Sequence, residues 1–359
     1  MDVLEKHSAN PGRAGHRLSL EASRIMFEAR DTVSDFIGSE SVNHVVFTSG
    51  GTEGLNTAIL GLLLPGDHVI TTVAEHNSVY RPLGHCEKRG ISHSIARAEA
   101  DGFTSAEEIE KSLKPSTKAV VVNHISNLTG IVQPLPDIIE LCREKGLFLI
   151  VDGSQSCGYY DYHVELMGID FLVGTGHKSL YGPQGTGFLY LRDPELLSPL
   201  KYGGTGSESE SMVQPSISPD KFESGTPNLP GIAGLAGGLA FIKKYGLEKM
   251  AIHKDELRVH FVEELKKIKG ITLYGDREDH VYGPVVALNV GTVGSSEISF
   301  ALDYDFGIMT RSGLHCAPML HRHMGTLEQG AVRFSFGYHN THEEVDEGLR
   351  ALREIAKKY

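Results

Sequence analysis

Six short apolar runs recur along the first part of this chain, and they constrain its fold more than any other feature. They read HVVFTS (residues 44–49), DHVITTV (67–73), KAVVVNHI (118–125), LFLIVD (147–152), FLVGT (171–175) and GFLYL (187–191). Helical patterns alternate with several of them. An amphipathic stretch covers residues 18–37 and ends at Gly38, an apolar helix follows Gly50-Gly51-Thr52 to Leu64, and others run up to Gly90 and over 135–145. Strands that are apolar on both faces need cover on both faces, so the alternation predicts an α/β fold with a mostly parallel sheet between helices.

The rest of the chain reads differently. From Gly231 a largely helical region runs to Lys269, then come shorter strands at VVALNV (285–290), GIMTR (307–311) and AVRFSF (331–336), and a last helix over 343–358. This pattern predicts a smaller C-terminal α+β domain. A single core stops growing near roughly 250–300 residues, so 359 residues suit two units. We divide the chain into an N-terminal segment (1–17), a large domain (18–240) and a small domain (241–359). One long polar loop, GGTGSESESMVQPSISPD (203–220), interrupts the pattern and has the length of a functional loop.

Charge and composition exclude some functions. The net charge of −12 gives no basic footprint for nucleic acid. No apolar run approaches a membrane span, and MDVLEKHSANPGR lacks the apolar core of a signal peptide. Cys86, Cys142, Cys157 and Cys316 are scattered without metal-type pairing, which predicts free thiols in a reducing cytoplasm.

The chemistry begins at His177-Lys178, in FLVGTGHKSLYGPQGTGFLYL. A lysine that forms a Schiff base needs a tight, partly desolvated loop that lowers its pKa, and glycines with small residues supply one. In TSGGTEGLN (48–56), two glycines and Thr52 stand between a strand and a helix, where backbone N–H groups cradle a phosphate; a plain tight turn is the alternative. Asp152 ends the most apolar strand, where α/β folds put their ligands. It can hold a pyridine nitrogen protonated, or merely cap the next segment. His76 follows another strand directly and can stack on a flat ring and move protons, although lone loop histidines are often structural. Asn127 and Gln155 are neutral donors placed after strands, suited to a phenolate oxygen.

Two residues of the second half point to a reaction. Cys316, in RSGLHCAPMLH beside His315 and near Arg311, has the most electropositive setting of the four thiols and suits a nucleophile; the alternative is a small buried apolar residue. His315, Cys316, His321 and His323 crowd together, but their spacing matches no standard zinc motif and no metal is expected. Arg333, in AVRFSFGYHNTHEEV, can clamp a carboxylate through two parallel hydrogen bonds, or pair with an acidic helix.

In their order, TSGGTEGLN, AEHNS, HISNLTG, VDGSQS, GTGHKSLYGPQGTG, ESGTPN and RSGLHCAP…VRFSFGYHNTHEEV resemble the class V aminotransferase family of fold-type I pyridoxal phosphate (PLP) enzymes. Within it they look like the cysteine desulfurase and selenocysteine lyase branch. The resemblance runs from about Asn10 to the C-terminus, and R-x-G-x-H-C-A resembles the SufS-like type with a short cysteine loop. It implies that Lys178 forms the Schiff base, Asp152 pairs with the ring nitrogen, and His76 stacks on the ring. It also implies that Asn127 and Gln155 contact the phenolate oxygen, and that Gly51, Thr52, Thr175 and His177 bind phosphate. Thr226 of ESGTPN joins them from the second subunit of a homodimer, Arg333 holds the substrate carboxylate, and Cys316 accepts the sulfur.

The implied reaction converts L-cysteine, or L-selenocysteine, to L-alanine and leaves a persulfide on Cys316 for a protein sulfur acceptor, as in cytoplasmic iron–sulfur cluster assembly. Two other readings stand beside it: an aminotransferase or other PLP lyase in which Cys316 is incidental, and a non-catalytic relative acting as a scaffold or sulfur-transfer partner. The last is motivated by one departure. Family members usually open with a strand bearing YLDNAATT before the NPGRAGH region; the sequence here starts without it, and the segment is implied to line the substrate side of the pocket. A second departure is mild, because Thr175 keeps the hydroxyl of the serine often found before His177.

Overall fold

Alternating side chains along the apolar strands bury themselves in two separate cores. In the computed structural model, which describes residues 2–359 apart from 8 and 13, seven strands form one sheet. They are β1 (Val45–Thr48), β2 (His68–Thr71), β3 (Ser92–Ile95), β4 (Thr117–Asn123), β5 (Phe148–Asp152), β6 (Phe171–Thr175) and β7 (Gly187–Leu191). Their spatial order is β1-β7-β6-β5-β4-β2-β3, and β7 alone runs against its neighbours. Val120, Val122, Leu149, Val151 and Leu172 point into one core, packed under the helices Arg17–Ile37, Leu135–Lys145 and Leu229–Tyr245. Ala119, Val121, Ile150, Phe171 and Val173 point into the other, under Gly51–Leu62 and Asn77–Glu87. Each fully buried Val, Leu or Ile contributes about 1.5–3 kcal/mol, so this two-sided burial is what selects a mostly parallel sheet.

The second sheet is antiparallel, in the order β10-β11-β9-β8, with β8 (Ile271–Tyr274), β9 (Val285–Val290), β10 (Arg311–Gly313) and β11 (Ala331–Ser335). The helices Leu247–Leu265, Ser295–Phe306 and His342–Lys358 cover it around Leu257, Phe261, Leu288, Leu302, Phe334 and Leu352. A small cluster of Ala74, Leu128, Ala287, Ala317, Leu320 and Ala331 joins the two sheets just beneath the segment that carries Cys316.

Several elements depart from the sequence reading. The strand expected at GIMTR (307–311) is instead β10, starting at Arg311. Gly307 adopts a left-handed φ of 69° that ends the helix Ser295–Phe306, so residues 307–310 are the connection. That helix was not expected. The helical region after Gly231 is two helices, broken at Gly246 with φ 88°. The edge strand β3 reads SHSI and has no apolar run to betray it.

Candidate active site

The C-terminal ends of β1, β2, β4, β5 and β6 all open on one edge of the sheet, the edge where α/β folds hold ligands. Ten of the residues singled out above meet there. Gly51, Thr52, His76, Asn127, Asp152, Gln155, Thr175, His177, Lys178 and Arg333 line a single cavity of about 320 Å³, within the range of small-molecule sites.

Local sequence explains each position. Gly50 has φ 147° and ψ 179°, a conformation open essentially to glycine alone, and it turns β1 into the helix Gly51–Leu62 so that free N–H groups face the cavity. A Cβ on Gly51 would lie 2.5 Å from both Ser154 Oγ and Thr175 Oγ1, so the backbone is pressed against two hydroxyls. Thr175 Oγ1 donates to Ser154 Oγ at 2.8 Å, and the Ser154 N–H donates to Asp152 Oδ1 at 2.9 Å.

On the β2 side, His76 caps the helix Asn77–Glu87. Its Nδ1 accepts from the Ser78 N–H at 3.0 Å, which leaves the ring proton on Nε2. Ser78 Oγ lies 2.8 Å from the same nitrogen and 2.7 Å from Thr52 Oγ1, so a chain of hydroxyls links the anion end of the cavity to the imidazole. Burial pushes the His76 pKa down, with Asp152 opposing, which favours a neutral ring.

Lys178 sits in the turn after β6, partly buried. Burial pushes its ammonium below the usual lysine range; Asp152 opposes this, while Arg333 and Arg311 add to it. A larger neutral fraction is what a Schiff-base lysine requires. Arg333, on β11, donates from Nη1 to the Asn127 carbonyl at 2.7 Å, and burial with Arg311 nearby pushes its pKa down to about 10. Arg333 Nε and Asn127 Oδ1 are buried without a partner. Buried polar atoms normally find partners, so these two call for a polar ligand.

Cys316 stands at the rim. His315 and Cys316 both take left-handed backbone, with φ 52° and 57°, a cost of about 1–3 kcal/mol each that surrounding bonds must hold. Three do so. The Asn77 N–H donates to the Cys316 carbonyl at 2.7 Å, Asn127 Nδ2 donates to the His315 carbonyl at 2.7 Å, and His315 Nε2–H donates to the Arg311 carbonyl at 3.1 Å. Arg311 Nη2 reaches Cys316 Sγ at 3.6 Å. Arg311 is the cation in contact with the thiol, and Lys178 and Arg333 are close enough to interact with it electrostatically. His315, expected to contribute, is buried and pushed down to about 4, so it is neutral.

Thr226 is not brought to this cavity within the chain. It is exposed in a neighbouring groove with Ser49 and Glu53, and its loop is anchored by Glu223, which holds Arg30 through two bonds of 2.6 and 2.8 Å. The sequence reading missed Ser78 and Ser154, which lie two residues after His76 and Asp152. It named Arg311 only as a neighbour of Cys316, although Arg311 also lines the Lys178 cavity.

The residues present fit PLP. The cavity has an anion end at Gly51, Thr52, Thr175 and His177, a buried carboxyl at Asp152, a lysine depressed by burial and orphaned donors and acceptors between them. No group of three or more His, Cys, Asp or Glu able to hold a metal occurs among the described residues, and no described helix is long and apolar enough to cross a membrane.

The chain is similar to several proteins named cysteine desulfurases. The chain is 33% identical to a probable cysteine desulfurase of Methanothermobacter thermautotrophicus, covering 99% of this chain and 90% of that protein. It is 34% identical to one from Pyrococcus abyssi, covering 98% and 88%. The solved apo structure of a cysteine desulfurase from Thermococcus onnurineus NA1 superposes with a TM-score of 0.94 at 33% identity, covering 100% of this chain and 90% of that one. The Aminotransferase class-V model matches residues 1–347, nearly the whole length, and on that match the chain belongs to the class V aminotransferase family.

Proposed function

We infer that this chain is a PLP-dependent cysteine desulfurase that converts L-cysteine to L-alanine and carries the sulfur away as a persulfide on Cys316. One observation carries the reading: the strained Cys316 turn is pinned by Asn77 and Asn127 at the rim of the Lys178 cavity, with its thiol beside Arg311. The similarity to named cysteine desulfurases supports it.

Bound in the cavity, PLP supplies an electron sink for negative charge developing at the substrate α-carbon. Lys178 would hold it through Nζ, and the same nitrogen, as a free amine, would accept the α-proton. We assign Asp152 to the ring nitrogen, His76 to the ring face, and Asn127 with Gln155 to the phenolate oxygen. Gly51, Thr52, Thr175 and His177 hold the phosphate, joined by Thr226 from the second subunit of a homodimer; the exposure of Thr226 in the single chain supports that last assignment. Arg333 receives the substrate carboxylate. Cys316 Sγ, as thiolate, would bond to the substrate sulfur as the Cβ–S bond breaks with its electron pair left on carbon. One proton is then delivered to Cβ, and Lys178 returns the α-proton to Cα to give L-alanine. Cytoplasmic delivery of that sulfur to a protein acceptor, as in iron–sulfur cluster assembly, belongs to the same proposal.

The test is alanine formation from L-cysteine by the holoenzyme, with intact mass measured before and after. Wild type is expected to form alanine and gain one sulfur on Cys316, and Cys316→Ala to do neither. Undiminished L-cysteine turnover in Cys316→Ala would sink the persulfide route and favour an aminotransferase or lyase in which this thiol is a bystander.

A further inference from the structure

Cys316 does not line the Lys178 cavity itself. It lines a second, outer cavity of about 520 Å³, whose inner wall is Thr52, His76 and Ser78, all shared with the first. The outer wall is one face of the helix Asn77–Glu87, bearing Arg81 and His85, with Asn56 from the helix Gly51–Leu62. Arg311 lines the inner cavity and reaches Cys316 Sγ, so the thiol stands on the partition between the two spaces.

The charge of the outer space is unusual for this chain. The sequence has 46 Asp and Glu against 34 Lys and Arg, yet no carboxylate lines the outer cavity among the described residues, while Arg81 does. A space of this size, closed on one side by a reactive sulfur and bearing a guanidinium, suits a small anion that carries its own sulfur.

We propose that the outer cavity is an acceptor site, where a low-molecular-weight thiol bearing a carboxylate docks against Arg81 and takes the sulfur from Cys316. The proposal rests on the desulfurase reading above. In the transfer step the acceptor thiolate attacks the outer sulfur of the Cys316 persulfide. A new S–S bond forms on the acceptor, the bond to Cys316 Sγ breaks, and its electron pair stays on Cys316 as thiolate. No oxidant or reductant is consumed. Donor and acceptor then enter from opposite sides of Cys316, so L-alanine need not clear the inner cavity by the acceptor's route.

The experiment uses holoenzyme loaded with L-cysteine and freed of excess substrate. Loss of the persulfide mass is followed with 3-mercaptopropionate (anionic), 2-mercaptoethanol (neutral) or cysteamine (cationic). Comparing wild type with Arg81→Ala for each thiol cancels the thiol's own reactivity. Arg81→Ala is expected to slow discharge by 3-mercaptopropionate about three- to fivefold, the scale of one exposed ion pair, and to leave 2-mercaptoethanol unchanged. Arg81→Glu is expected to widen the gap and to favour cysteamine, and added salt to shrink the wild-type preference. Persulfide loading by L-cysteine should be equal in all three proteins. Equal slowing of all thiols, no slowing of any, or a raised KM for L-cysteine in the variants would each overturn the acceptor site. Failure of wild type to load a persulfide would overturn the desulfurase reading, and the acceptor site with it.

Discussion

The side-chain amide of Asn127 donates to the backbone carbonyl of His315 at 2.7 Å, a bond between residues 188 positions apart in the chain. It joins the loop after β4 to the turn that presents Cys316, and it helps hold two consecutive left-handed residues that would otherwise relax. Asn127→Ala leaves that carbonyl without its partner, a loss of about 1–3 kcal/mol at a buried position. The turn is then expected to loosen. In the apoprotein, where no cofactor contact of Asn127 intervenes, iodoacetamide should alkylate Cys316 roughly tenfold faster than in wild type, by the tenfold per 1.4 kcal/mol of a local opening equilibrium. An unchanged rate would mean that the Asn77 and His315–Arg311 bonds suffice to hold the turn.

Gly51 tests the anion end. Its φ is not left-handed, so a side chain there brings no backbone strain, but a Cβ would meet Ser154 Oγ and Thr175 Oγ1 at 2.5 Å. Both hydroxyls must move, at the roughly 1–3 kcal/mol typical of an overpacked site. Gly51→Ala is therefore expected to weaken PLP binding about tenfold or more in a spectral titration of the apoprotein. Binding at wild-type affinity would show that the phosphate does not rest on this turn.

Much of this site was legible because its residues follow apolar strands, and the strands themselves announce a parallel sheet whose C-terminal edge binds ligands. Lys178, His76 and Asn127 lie just beyond such runs, and Asp152 ends one. Ser78 and Ser154 were not legible. In sequence each is a small hydroxyl after a strand, indistinguishable from a helix cap, and only the pairings Thr52–Ser78 and Thr175–Ser154 give them a place. His315 misled for a related reason: beside a cysteine it reads as a positive neighbour, whereas burial keeps it neutral. The strand at 307–311 failed because Gly307 ends a helix whose apolar face, Ile298, Ala301 and Leu302, is too sparse to announce itself.

Glu75, next to His76, is fully buried. Its Oε1 accepts from the Asn123 N–H at 3.0 Å and from Thr72 Oγ1 at 2.8 Å, while Oε2 has no partner. Burial pushes its pKa up from 4.5 to about 8. A carboxyl raised on folding stabilises the fold below its unfolded pKa, and that contribution is lost as pH rises from about 4.5 through 8. Glu75→Gln keeps an acceptor at Oε1 and cannot ionise. The apo variant should match wild type near pH 5 and exceed it in Tm by several degrees at pH 9. A constant difference across that range would place the ionisation elsewhere.

Arg333 spends Nη1 on the Asn127 carbonyl, and its Nε is buried without a partner. Nε–H and Nη2–H form the parallel pair of a guanidinium that matches a carboxylate, so the first bond orients the fork and leaves it available for substrate. Lysine keeps the charge but offers a single point donor in place of the fork. Arg333→Lys is therefore expected to raise the KM for L-cysteine about 10- to 100-fold, the equivalent of one charged hydrogen bond, with a smaller change in kcat. Cysteamine, which is cysteine without its carboxylate, provides the control: whatever slow turnover it gives should be the same in wild type and variant. If both compounds lose activity equally, Arg333 acts by bracing Asn127 and the Cys316 turn rather than by binding the substrate carboxylate.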